Sequence, residues 1–175
     1  MTVKMVLLGD GGVGKTALRL QYMGVGFQSS YLATIGADFA FKEFNYEDKI
    51  VKVQIWDLAG QQHYSKIRKN YYFGSHAVVL VYDVTRIDSY QSLDKWLSEI
   101  KKNIDRPVPI VLIGNKIDLR DEIKDHLTEE DGFKARDNLQ NDNNAKVSYI
   151  ETSAKTGENV EEAFKTIINE LMKMY

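Results

Sequence analysis

Near the start of the chain, Gly9-Asp10-Gly11-Gly12-Val13-Gly14-Lys15-Thr16 crowds four glycines ahead of a lysine and a hydroxyl. A glycine held in one conformation loses more entropy than any other residue, so a fixed cluster needs a compensating contact. The spacing is Gly, four residues, Gly-Lys-Thr, set between an apolar run and a segment of helical period. A loop of this kind turns successive backbone N–H groups inward as an anion nest, backed by the positive end of a helix. Missing side chains let the backbone close on phosphate oxygens. Lys15 would bridge the terminal phosphates, and the Thr16 hydroxyl would ligate magnesium. A dinucleotide loop needs no lysine and expects an acidic residue at the end of the second strand, so the spacing favours the phosphate chain of a nucleoside triphosphate.

Three further stretches follow apolar runs. Ile110 to Gly114 leads into Asn115-Lys116-Ile117-Asp118. A carboxylate accepts two hydrogen bonds side by side, and guanine offers N1–H and its 2-amino group as adjacent donors; adenine has an acceptor at N1. Asp118 would therefore attract guanine and repel adenine, although these four residues read alone would also suit an ordinary turn. Glu151-Thr152-Ser153-Ala154-Lys155 follows another run, where a backbone N–H suits guanine O6. Trp56-Asp57-Leu58-Ala59-Gly60-Gln61 supplies the third. There Asp57 suits a direct or indirect magnesium role, Gly60 can bring its N–H against a terminal phosphate, and Gln61 can orient a water. The plainer alternatives are a helix cap for Asp57 and a solvated side chain for Gln61.

The elements that must position these residues alternate between short β-branched runs and longer segments of helical period, the pattern of a parallel sheet covered by helices. Strands are expected at Val3–Leu8, Ala37–Tyr46, Ile50–Trp56, His76–Tyr82, Ile110–Ile113 and Val147–Ile150. Helices are expected at Lys15–Met23, Tyr64–Tyr72, Ser89–Asn103, Glu129–Asn138 and Val160–Met172, the last with Val160, Phe164, Ile167 and Leu171 on one stripe. Ala37–Tyr46 alternates aromatic and charged residues, so it is expected at an edge, antiparallel to its neighbour, with Asn45–Lys49 as the hairpin turn. Asn138–Asn144 reads as a polar surface loop.

The 175 residues suit one domain, and the absence of cysteine excludes disulfides, thiolate metal sites and cysteine nucleophiles. With 43% apolar and 27% charged residues and a net charge of −2, the chain lacks the basic excess of a nucleic-acid binder. No apolar run approaches the roughly 20 residues of a membrane span. The chain starts without a second-position glycine and ends MKMY without a cysteine, so no lipid anchor is expected on it, and a cytoplasmic monomer reaching membranes only through a partner or an absent tail is the natural expectation.

Taken together the motifs resemble those of a small GTPase of the Ras superfamily, closest to the Rab branch. The resemblance covers nearly the whole chain and includes Ile35-Gly-Ala-Asp-Phe39, Lys52 to Gln61, Tyr71-Tyr72-Phe73-Gly74 and Val81-Tyr-Asp-Val-Thr85. It implies an α/β, P-loop NTPase-type three-layer fold: a six-stranded, mostly parallel sheet with one antiparallel edge strand and about five helices. It implies GTP and GDP as substrate and product, with Mg2+. The nucleotide would be held by Gly11, Gly12, Val13, Gly14, Lys15, Thr16, Ala17, Phe27, Thr34, Gly60, Asn115, Lys116, Asp118, Ser153, Ala154 and Lys155. Phe27 would pack against the base, Thr34 would join Thr16 and Asp57 at the metal, and Lys15, Thr34, Gly60 and Gln61 would form the catalytic set. Effectors, exchange factors and activating proteins would dock through Phe27–Phe39 and Trp56–Phe73, with Phe39, Trp56 and Tyr71 as an aromatic surface. Leu58 and Gln62 depart from the threonine and acidic residue common in Rab proteins, which bears on partner choice.

Between Phe27 and Ile35 there is no arginine or lysine. The first switch therefore carries no arginine finger, and intrinsic hydrolysis is expected to be slow, with an activating protein adding roughly 10³–10⁵ in rate. A nucleotide-binding scaffold would not need Gln61, and a phosphate-loop kinase or ATPase would not need Asp118.

Overall fold

The computed structural model describes residues 1–29 and 33–175; residues 30–32, within the expected Phe27–Phe39 docking segment, lie outside them. Six strands, β1 (Thr2–Leu8), β2 (Ala37–Tyr46), β3 (Lys49–Leu58), β4 (Ala77–Asp83), β5 (Ile110–Asn115) and β6 (Val147–Thr152), form one sheet in the order β2-β3-β1-β4-β5-β6. All neighbours are parallel except β2 and β3, which are antiparallel with Phe39 opposite Trp56 and Asp38 opposite Asp57. The expected edge strand and its direction are both found. The turn is tighter than expected: Tyr46 pairs with Lys49, and Glu47 takes a positive φ of 50° between them.

The α-helices are α1 (Lys15–Tyr22), α2 (Ser65–Tyr72), α3 (Ile87–Gln91), α4 (Leu93–Asn103), α5 (Glu129–Asp142) and α6 (Val160–Met172). They cover both faces. Alternate residues of β4 enter opposite cores, Ala77, Val79 and Val81 on the α1 and α6 side, Val78, Leu80 and Tyr82 on the α4 and α5 side. Such doubly covered strands bury every position, which is why β4 and β5 read as unbroken apolar runs. The expected stripe of α6 is buried, with Phe164 stacked on Tyr22 at 4.1 Å between centroids.

Two expectations are corrected. Ser89–Asn103 is two helices, α3 and α4, parted at Ser92. Residues 138–142 are the last turn of α5, not loop: Leu139 is buried, and the Gln140 side chain satisfies the carbonyls of Asn143 and Ala145 and the N–H of Val147. Polar composition there reflects a helix end that caps itself through a side chain.

Candidate functional site

The glycine-rich loop joins β1 to α1 at the carboxyl edge of the sheet, where the order β3-β1-β4 places strands on both sides of the loop's strand. Gly14 has φ 101°, and a Cβ on it would collide with the Asn115 amide. No side chain caps α1, and its first turn holds no acidic residue; α5, by contrast, begins with a Thr128–Asp131 capping box and three acids. The first N–H groups of α1 therefore face the loop without a competing anion. Lys15 curls under the loop, its Nζ donating to the carbonyls of Gly9 and Asp10, each at 2.8 Å. Burial lowers its ammonium to about 8, against the pull of Asp57 and Asp10.

Thr16, Thr34 and Asp57 meet on one side. The Thr16 hydroxyl donates to Asp57 Oδ2 and lies 2.9 Å from the Thr34 hydroxyl. Asp57 is fully buried near the end of β3, and its Oδ1 has no hydrogen-bond partner among the described residues. Burial raises its carboxyl above the ordinary range, while Thr16, Lys15 and Arg19 pull it back. A buried acceptor of this kind beside two hydroxyls is a donor set for a small, hard, oxygen-seeking cation.

Gly60 packs on the loop so closely that a Cβ would strike the Gly9 carbonyl and the Gly11 N–H. Gln61 follows, its side chain against Gly11 and its buried Oε1 also without a partner among the described residues. The result is a cleft lined by Gly11, Lys15, Thr16, Thr34, Gly60 and Gln61, into which Gly12, Gly14 and Ala17 also open. Arg68, 1% exposed, fixes this corner: Nη1 donates to the carbonyls of Ala59 and Gln61, on either side of Gly60, while Nε and Nη2 reach Glu99. The Asp10 carboxylate is held from α4 by Trp96 Nε1 and from the preceding turn by Ser92 Oγ, both at 2.8 Å.

The loops after β5 and β6 converge beside it. Asn115 donates to the Val13 carbonyl and accepts from Thr152 Oγ1 and the Ala154 N–H. Lys116, with φ 71°, donates to the Gly12 carbonyl at 2.7 Å and pairs with Asp83. Both side chains thus brace the glycine-rich loop. Asp118 Oδ1 accepts from Ser153 Oγ at 2.6 Å, which joins the loops after β5 and β6 directly. Lys155 and Phe27 stand exposed, apart from this network. On the far side of β3, Trp56 lies between Phe39 and Tyr71, at 4.9 and 5.2 Å between centroids, so the three aromatic residues singled out by resemblance are contiguous.

Arg68, Asp10, Trp96 and Asp83 are the site residues that sequence reasoning missed. Asp10 and Asp83 sat inside quoted motifs as acids with no assigned partner. Nothing in spacing pointed to Arg68 or Trp96, which come from helices on the other face.

The model of the Ras family matches residues 4–173. The Ras-related protein Rab7 of Pisum sativum is 43% identical over 175 residues, 98% of this chain and 82% of that protein. The Ras-related protein RABG3f of Arabidopsis thaliana is 42% identical over the same length and coverage, and the GTP-binding protein ypt1 of Schizosaccharomyces pombe 39% over 168 residues, 96% of this chain and 79% of that one. The glycine-rich loop, the Asp118 carboxylate and the glycine-glutamine corner stand on one sheet edge within the matched span, and the chain belongs to the Ras family, the small GTPases that hydrolyse GTP and act as switches.

Proposed function

We propose that residues 1–175 act as one Rab-like GTPase domain in which the cleft residues take the following parts. Gly11 to Ala17 cradle the phosphates, with Lys15 exchanging its two backbone acceptors for phosphate oxygens. Asp118 reads guanine with its Oδ2 edge while Ser153 holds Oδ1; Ala154, Lys155 and Phe27 line the base, and Asn115 and Lys116 set the height of the phosphate loop beneath it. Gln61 orients the attacking water, and its unpartnered Oε1 is an acceptor suited to that task. Thr34 and Gly60 contact the terminal phosphate, so its loss releases the segments that carry them. These segments, Phe27–Phe39 and Trp56–Phe73, then change the surface offered to effectors, exchange factors and activating proteins, in membrane traffic at the cytoplasmic side.

Thr16, Thr34 and Asp57 would hold magnesium, which when bound neutralises charge developing on the β- and γ-phosphates. The observation that carries the reading is the pair of buried acceptors, Asp57 Oδ1 and Gln61 Oε1, that have no partner among the described residues and belong to residues bordering the glycine-rich loop and Thr16. Competition between GTP and ATP for the purified chain, followed by a phosphate-release time course, tests it. Preference for GTP with slow, magnesium-dependent release is expected; preference for ATP, or binding without release, overturns it.

A further inference from the structure

Arg86 follows β4, in a turn fixed by its own N–H on the Asp83 carbonyl and by Ser89 Oγ donating to the Arg86 carbonyl at 2.7 Å. Its Nη1 donates to the Gly11 carbonyl at 2.9 Å, and a Cβ built on Gly12 would lie 3.4 Å from the same nitrogen. Gln61 comes to these glycines as well: a Cβ on Gly11 would meet its Cδ at 3.7 Å. A guanidinium and the glutamine amide therefore both border the stretch of loop over which phosphate passes. We propose that Arg86 supplies, from within the chain, positive charge to the terminal-phosphate side of the site during GTP hydrolysis, the charge that the first switch lacks.

The argument rests on the GTPase reading above and adds a residue to it. The other half of the guanidinium, Nη2, is held by Asp88 at 2.9 Å, and the Arg86 and Asp88 side chains are 37% and 69% exposed. Exposed pairs of this kind are weak, so a phosphate carrying more than one charge competes well for the same nitrogens. The planar fork lets Arg86 keep one contact to the loop while turning another N–H toward an oxygen of the transferring group. A finger inserted by an activating protein contributes roughly 10³–10⁵ in rate; a resident arginine anchored at the rim contributes less, about 10- to 100-fold.

The test uses the full chain with GTP and magnesium and without any activating protein, in three forms: unaltered, Arg86→Ala and Arg86→Lys. Single-turnover phosphate release gives the rate, and fluorine NMR of the GDP-loaded protein titrated with aluminium fluoride reports capture of a transferring-phosphoryl mimic. GDP dissociation is followed in parallel. Arg86→Ala is expected to slow release about 10- to 100-fold and to lose the aluminium fluoride signal that the unaltered chain shows, with Arg86→Lys between them and GDP dissociation unchanged. Equal release and equal fluoride capture in the unaltered and alanine forms overturn the proposal. So does faster GDP dissociation in step with the lost rate, which would make Arg86 a brace of the loop. Failure of the unaltered chain to bind GTP would overturn the functional reading instead.

Discussion

Arg68 and Glu99 meet through two parallel hydrogen bonds, Nε to Oε1 at 2.8 Å and Nη2 to Oε2 at 2.9 Å, across the gap between α2 and α4. Tyr72 adds a third bond to the same carboxylate, and the guanidinium lies 4.6 Å from the centroid of the Trp96 ring. Because the remaining donor group of Arg68 carries the backbone of Ala59 and Gln61, the pair is a mount for the glutamine corner. Removing one partner of a buried pair leaves the other uncompensated, so Glu99→Leu is expected to cost about 3 kcal/mol, read from urea unfolding.

The same carboxylate gives the fold an acid-sensitive component. Burial alone would raise Glu99, but the bonds from Arg68 and Tyr72 outweigh it and hold the group below its usual 4.5. A depressed carboxyl stabilises the folded chain above the unfolded value, and that contribution is lost as pH falls through the folded one. Stability should therefore decline below about pH 4.5, and Glu99→Gln should show a shallower decline over the same range in urea midpoints taken at successive pH values.

Gln61→Leu removes the unpartnered Oε1 and keeps the volume of the side chain. Hydrolysis should fall about tenfold or more while GTP affinity is spared, since the role proposed for Gln61 is toward water and not toward the nucleotide. Single-turnover phosphate release at saturating protein checks the first half, and competition binding the second.

Thr16→Asn alters the hydroxyl that binds Asp57 and faces Thr34. Magnesium-dependent affinity for GTP should fall further than affinity for GDP, since in the proposed site Thr34 contributes only when the terminal phosphate is present. A nucleotide-exchange titration with and without magnesium measures the difference, and an unchanged GTP-to-GDP ratio would count against the assigned metal side.

Asp118→Asn replaces one carboxylate oxygen by an NH2 donor. Guanine then meets a donor where it needs an acceptor, whereas xanthine, with a carbonyl at position 2, meets a partner. Base preference should invert from GTP toward XTP, with roughly 1–3 kcal/mol lost for guanine through the unpaired buried group. Competition between the two triphosphates is the measurement.

The order and kind of the elements were legible because strands buried on both faces, such as β4, read as continuous apolar runs, and because α6 shows its stripe openly. Strand ends were not. Asp57, Asp83, Asn115 and Thr152 all lie inside strands, yet apolar patterning stops at or before each of them. They are polar residues buried at the carboxyl edge because the site needs them there, so periodicity fails at the place where function begins. The candidate phosphate and base loops were readable from spacing alone, since each is contiguous in sequence. Trp96 and Arg86 were not, because each acts on a loop distant in sequence that the sheet order brings near; Arg68 lies only seven to nine residues from the carbonyls it holds, but no motif marked it.

The β2–β3 pairing sets two neighbours, Trp56 and Asp57, on opposite sides of one strand, the first among aromatic rings and the second beneath Thr16. Anything that grips the indole and anything that grips the carboxylate hold the same two peptide units from above and below. A displacement of about an ångström on either side has no slack in which to dissipate inside a close-packed sheet. The aromatic surface and the buried carboxylate thus share a single rung of backbone.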